Sequence, residues 1–205
     1  MDKKGLLIVI SGFSGVGKGT VVKRLVSDYG YSLSISATTR APREGEVDGR
    51  EYYFKSKEEF KNLIDYNGFI EWAVYVENYY GTPRAFVEKE LAAGHNVILE
   101  IEVQGAMNIK EQYPDAVLIF LTAPNAEELK QRLIGRGTEE ASVVEKRMKR
   151  AIEESEDMNQ YEYIIINDDL DQCVKDVNSV IVAKGCMIEN NIEYVNQMKA
   201  ELKAL

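Results

Sequence analysis

Leu6-Leu7-Ile8-Val9-Ile10-Ser11-Gly12-Phe13-Ser14-Gly15-Val16-Gly17-Lys18-Gly19-Thr20 is the stretch that decides how this chain folds. Its first five residues are continuously apolar and rich in branched side chains, as in a strand buried on both faces of a parallel sheet. Gly12 to Gly19 breaks that run, and from Thr20 to Tyr29 the apolar residues Val21, Val22, Leu25 and Val26 recur at helical spacing. Between strand and helix, Gly12 to Lys18 fits the pattern G-x-x-x-x-G-K. Glycines permit the tight path, successive backbone N–H groups point inward, the helix behind presents its positive end, and Lys18 adds a full charge. Gly12, Phe13, Ser14, Gly15, Val16, Gly17, Lys18, Gly19 and Thr20 are therefore expected to cradle phosphates. The plainer alternative is a Gly-rich turn with an exposed lysine. The Ser or Thr usual after the lysine, whose hydroxyl meets Mg²⁺, is Gly19 here, which leaves Thr20 or a bridging water for that duty.

Working outward, similar apolar runs recur at 96–101, 116–122 and 163–166, separated by helix-like stretches. Strand and helix alternate, so an α/β fold with a parallel sheet is expected. Helix starts are signalled by Ser56 with Glu59, Asn125 with Glu128 and Asp169 with Gln172, each pairing a short polar cap with an acid or amide three residues on. Gly185 is expected to end a helix running through 174–184, and a last helix is expected over 188–202. Between Ser36 and Thr82 aromatic residues crowd in, which suggests an inserted subdomain. Residues 136–150 combine Gly137 with acids and arginines and few large apolar side chains, a texture that suits a mobile flap better than core.

The 205 residues fit one main core, and 45% apolar with 29% charged residues is ordinary globular composition. The longest apolar run, Ala116 to Leu121, is far short of the roughly 20 residues that cross a bilayer. No small-residue cleavage pattern follows the first strand, so a cytoplasmic protein with no membrane partner is expected. With 25 basic against 34 acidic residues the net charge is −9, which argues against nucleic acid as a partner. Any polyanion must meet a local cluster. Seven of the nine arginines fall into two such groups, Arg40, Arg43 and Arg50, then Arg132, Arg136, Arg147 and Arg150. Cys173 and Cys186 stand alone and His95 is the single histidine, which removes most support for disulfide, zinc or Ser-His-Asp chemistry.

Two further stretches carry chemistry. Thr38-Thr39-Arg40-Ala41-Pro42-Arg43 sets two guanidinium forks three residues apart, suited to a second, separate phosphate, with Tyr52 and Tyr80 as hydroxyl donors. Read alone it is equally a solvated basic turn. Phe69-Ile70-Glu71-Trp72 places one carboxylate within an apolar strand. A carboxylate only accepts, so it complements a group with two parallel donors, as guanine presents through N1–H and its exocyclic amine. A strand glutamate facing water is the alternative.

Taken together, SGFSGVGKGT, SATTRAPREGEVDGREYYF, FIEWAVYVENYYGT, VILEIEVQGA, RLIGRGTE and IIINDDL resemble, in order and spacing, the guanylate kinases of the P-loop nucleoside monophosphate kinases, in their bacterial single-domain form. The resemblance covers nearly the whole chain. It implies a P-loop NTPase core with a five-stranded parallel sheet flanked by helices (about 1–35, 92–135 and 151–205), a GMP-binding α+β subdomain (about 36–91) and a lid (about 136–150). It implies reversible transfer of the ATP γ-phosphoryl to GMP, giving ADP and GDP, with Mg²⁺. Carried over motif by motif, Ser36, Glu71 and Thr82 would read guanine, and Arg40, Arg43, Tyr52 and Tyr80 would hold the GMP phosphate. Glu100 and Glu102 match an acidic pair near GMP and the metal, although many relatives carry Asp where Glu102 stands. Arg132 would stack on adenine, Arg136 and Arg147 would neutralise the transferring group, and Asn167 and Asp168 would line the adenine pocket.

Phosphoryl transfer asks for alignment, exclusion of water and cations around spreading charge. Lys18, Arg43, Arg136 and Arg147 are accordingly the expected catalytic set, with closure of the subdomain on GMP and of the flap on ATP, and Gly135 and Gly137 at the hinge. Two alternatives remain at this level: a kinase for another nucleoside monophosphate, and a non-catalytic guanylate-kinase-like module that binds phosphopeptides. The oligomeric state is not legible from the sequence.

Overall fold

The computed structural model describes residues 4–75, 77–135 and 141–205. Strand β1 (Leu7–Gly12) has all six residues buried, because it is the middle of a five-stranded sheet. Its neighbours are β7 (Val97–Glu100) and β8 (Val117–Thr122), with β2 (Ser32–Ser34) and β9 (Tyr163–Ile166) outside them, all pairing in parallel. Alternation of side chains along β1 explains its unbroken apolar run. Ile8 and Ile10 pack with Val21, Val22 and Leu25 of α1 (Lys18–Tyr29) and with Val174, Val177 and Ile181 of α7 (Leu170–Gly185). Leu7 and Val9 face the other way, against Val87 and Leu91 of α3 (Arg84–Ala92) and Ala106 and Ile109 of α4 (Val103–Gln112).

A second, smaller sheet has the order β4 (Tyr53–Phe54), β3 (Ala37–Thr38), β6 (Asn78–Pro83), β5 (Phe69–Tyr75). Helix α2 (Lys57–Asp65) closes it, stacking Phe60 on Phe69 with ring centroids 4.4 Å apart. Strand β5 belongs to both cores: Phe69 lies in the small aromatic cluster, whereas Ile70 lies in the main core beside Leu99 and Ile109. Adjacent strand residues point to opposite faces, and a register shift between Phe69 and Glu71 then re-aims the side chains that follow.

Helix α5 (Ala126–Ile134) follows β8, and α6 (Ala141–Ser155) precedes β9. Of the stretch read as a flap, 136–140 lie outside the described residues. The remainder is helical and anchored by buried Val144 and Ala151, an apolar pair at helical spacing that the surrounding charges obscured. Among the three caps, Ser56 and Glu59 form the full reciprocal box. Asn125 and Asp169 each accept from the expected backbone N–H, but Gln172 turns its amide to Asp176 instead of back to its cap. Gly185 is the last residue of α7 without a left-handed turn, because Asn190 and Asn191 donate to the terminal carbonyls of Lys184 and Gly185. That short 3₁₀ turn (Ile188–Asn191) delays the last helix, α8, to Ile192–Ala204. No helix among the described residues is long and apolar enough to cross a membrane.

Candidate active site

The loop after β1 is held by its apolar residues. Phe13 packs edge-on against Phe120 at 4.9 Å, and Val16 is fully buried in the main core. Gly17 caps α1 with φ 96°, a left-handed conformation that glycine adopts without strain, and no side chain makes a capping hydrogen bond there. The positive end of α1 therefore meets the loop, with no acidic residue in its first turn to oppose an anion. Lys18 folds over the same loop and donates to the carbonyls of Gly12 at 2.6 Å and Phe13 at 3.3 Å.

Asn167, at the end of β9, is turned toward this loop. Its Nδ2 donates to the Val16 carbonyl at 2.8 Å in a buried setting, and a Cβ on Gly17 would come within 2.8 Å of that same nitrogen. Arg132 on α5 donates to the Asn167 carbonyl at 2.7 Å and to Glu128 at 2.9 Å, so its guanidinium is held beside the loop. On the far flank, Arg147 of α6 reaches Ser14 Oγ at 3.4 Å.

Between the loop and the small sheet lies a cleft of about 310 Å³. Ser14, Ser36, Arg40, Arg43, Tyr52, Glu71, Tyr80, Glu100, Glu102 and Arg147 all line it, so residues distant in sequence converge on one cavity. Ser36 precedes β3, whose partner β6 supplies Tyr80, while Glu71 comes from β5. Thr82 sits opposite Glu71 on β6, and its Oγ1 donates to Glu71 Oε1 at 2.6 Å. Burial pushes the Glu71 carboxyl up to about 7, with Thr82 pulling the other way through its hydroxyl and its backbone N–H.

At the opposite wall Arg40 lies over the Tyr52 ring, 5.4 Å from its centroid, and pairs with both Glu46 oxygens at 3.0 Å. Glu46 also accepts from the Arg43 backbone N–H at 2.8 Å. Burial works against its charge, but the Arg43 N–H and the Arg40 guanidinium hold its carboxyl below the ordinary range. Burial, then the nearby Glu100, pushes the Tyr52 hydroxyl up to about 12, so at neutral pH it remains a donor. Glu100 is itself raised by burial, with Lys18 opposing and Glu102 adding to the shift.

A hard divalent cation fits this region through few protein groups. No cluster of three or more His, Cys, Asp or Glu among the described residues can hold a metal. Glu100 nonetheless stands at the start of α1, with both carboxylate oxygens 3.6 Å from where a Gly19 Cβ would be, and Thr20 follows on an exposed turn. One carboxylate beside a phosphate loop is the donor set Mg²⁺ uses when substrate phosphates and water complete its shell.

Sequence reasoning gave no role to Glu46, Gly105 or Arg150, which also line this cavity. Glu46 follows Arg40 within one acidic-basic segment, a legible ion-pair signal. Arg150 pairs on its own helix with Glu153 and Glu154. Gly105 left no signal, since its approach to Glu71 is tertiary. Arg136 and Gly137 lie outside the described residues. Asp168 follows Asn167 in the turn before α7.

The family model for guanylate kinase matches residues 4–184. The guanylate kinase of Lactiplantibacillus plantarum is 51% identical over 206 residues, covering 100% of both chains, and that of Caldanaerobacter subterraneus subsp. tengcongensis is 48% identical over 202 residues, 98% of each. The crystal structure of guanylate kinase from Anaplasma phagocytophilum superposes with a TM-score of 0.77 at 31% identity, over 91% of this chain and 89% of that one. The residues matched by the family model include every strand of both sheets, and on these grounds the chain belongs to the guanylate kinase family.

Proposed function

We propose that this protein transfers the γ-phosphoryl group of ATP to GMP, reversibly, giving ADP and GDP. The observation that carries the reading is the cleft itself. It sets a buried carboxylate on one wall, paired guanidinium groups on another, and opens at Ser14 onto an amide-lined phosphate loop.

Glu71 and Thr82, with Ser36 nearby, read guanine. The ionised carboxylate accepts from N1–H and the 2-amino group, while a base lacking them leaves a buried acceptor unpaired. Arg40, Arg43, Tyr52 and Tyr80 hold the GMP phosphate, and Glu46 keeps the Arg40 fork in place until it arrives. Residues 12–20 hold the ATP phosphates, Arg132 covers adenine beside Asn167 and Asp168, and Glu102 closes the GMP side of the cleft.

Lys18, Arg43, Arg136 and Arg147 supply the cations around the transferring group. The core, the small-sheet subdomain of 36–91 and the lid of 136–150 are the bodies that bring the two phosphates into line and exclude water. Glu100 and Thr20, directly or through water, would hold Mg²⁺, which would supply positive charge to the phosphates. Steady-state phosphorylation of GMP, AMP, CMP and UMP by the pure protein tests the assignment. GMP is expected to exceed the others in kcat/KM by several orders of magnitude; AMP or CMP outrunning GMP, or no turnover with phosphopeptide binding instead, would overturn it.

A further inference from the structure

Helix α4 presses its first turn against β5, and the point of closest approach is a glycine. A Cβ built on Gly105 would lie 2.8 Å from Glu71 Oε2, 3.3 Å from its Cδ and 3.4 Å from Ile101 Cδ1. The first distance is closer than side-chain carbons come to their neighbours. Glu71 cannot simply withdraw, because its other oxygen is bound to Thr82 at 2.6 Å and the residue is only 6% exposed. Ile101, 9% exposed, blocks the third direction.

The backbone does not explain this glycine. Gly105 lies inside a regular helix and is not among the glycines with positive φ, so any residue could adopt its conformation. Alanine is the stronger helix former, and local stability would favour it here. What a methyl group would disturb is the carboxylate. We propose that Gly105 is a specificity-determining, positioning residue. By presenting bare backbone to Glu71, it leaves that carboxylate in the one orientation in which both oxygens meet the parallel N1–H and 2-amino donors of guanine.

This rests on the reading of Glu71 given above and adds to it. A displacement of several tenths of an ångström would misalign two hydrogen bonds to a 2-aminopurine but only one to a purine that lacks the amino group, so selectivity falls along with affinity.

The test compares wild type with Gly105→Ala, measuring kcat and KM for GMP and for inosine monophosphate at saturating ATP, together with ATP binding by calorimetry and the melting temperature. The expected result for Gly105→Ala is a GMP KM raised about tenfold or more, kcat within about twofold, a preference for GMP over inosine monophosphate reduced about tenfold, unchanged ATP affinity and a melting temperature within a few degrees of wild type, the helix gain offsetting the crowding. An unchanged preference overturns the proposal. So does a variant that melts early or loses ATP binding in parallel, because the glycine would then be a packing requirement. If wild type itself shows no preference between the two monophosphates, the base-reading role of Glu71 fails instead, and the two failures are distinguishable.

Discussion

Thr82 Oγ1 and Glu71 Oε1 are 2.6 Å apart across the rung that follows the β5 bulge, with Thr82 fully buried and Glu71 nearly so. A hydroxyl that donates to a carboxylate favours the charged form, while burial favours the neutral one, and here burial prevails.

A pH dependence of GMP binding results. Because the Glu71 carboxyl is raised to about 7, the free enzyme holds its proton in the acid range, whereas GMP requires the ionised form. The KM for GMP is expected to be flat above about pH 7.5 and to rise ~tenfold per unit below about pH 6.5. The KM for ATP should not follow it. Folding carries the same linkage with the sign of a raised acid: the contribution favours the native state below the unfolded value near 4.5 and is lost as pH rises through about 7. Initial-rate profiles from pH 5.5 to 9 for both substrates check the binding half. A GMP profile without this inflection would remove Glu71 from base recognition.

Thr82→Val keeps the shape of the side chain and deletes its hydroxyl. The carboxylate loses one of its donors, so the acid limb of the GMP profile is expected to move to higher pH. The GMP KM at neutral pH should rise by about 1–2 kcal/mol of binding, roughly five- to thirtyfold. Little change in kcat is expected, since Thr82 is remote from the transferring group.

Lys18→Ala removes a side chain that donates to the Gly12 and Phe13 carbonyls of its own loop. The fold should persist, with a melting temperature within a few degrees of wild type, because the loop is anchored by Phe13 and Val16. The value of kcat is expected to fall roughly a hundred- to a thousandfold. Turnover near wild type would exclude the lysine from catalysis.

Asn167→Ala leaves the Val16 carbonyl without its donor in a buried position. The expected cost is about 1–3 kcal/mol of stability, read as a lower melting temperature, together with weaker ATP binding by calorimetry. GMP binding should be unaffected. An undiminished ATP affinity would show that the loop keeps its shape without this bond.

Glu46→Ala frees the Arg40 guanidinium from the carboxylate that now fixes it at 3.0 Å. The loss of orientation is expected to raise the GMP KM about tenfold, with Glu46→Gln, which keeps one acceptor, lying between it and wild type. A fall in KM would instead mark Glu46 as a competitor of the incoming phosphate.

Much of this was readable along the chain because its causes are local. The unbroken apolar run of β1 needs only neighbours on both sides, and the loop that follows announces itself by glycine and lysine spacing. Glu71 stood out as a carboxylate amid apolar residues. What escaped notice depends on contacts between segments far apart. The bulge before Glu71 is a feature of how β5 pairs with β6, a strand several residues further along the chain. Asn167 also braces the phosphate loop, its side chain bonded to Val16, 151 positions away. Helix α6 has the texture of a mobile flap because, among its described side chains, Val144 and Ala151 are the buried apolar ones amid many charges.

Adjacent residues Phe69 and Ile70 are claimed by different hydrophobic clusters, and this gives the molecule a fulcrum. Were the small sheet to rotate as a unit about that peptide, Glu71, one residue away from it, would travel little, while Arg40 and Arg43, carried on the chain beyond β3, would travel further. Purine selection would then be completed at a nearly stationary point before the phosphate grip swings home, so a wrong base is refused while the arm is still open.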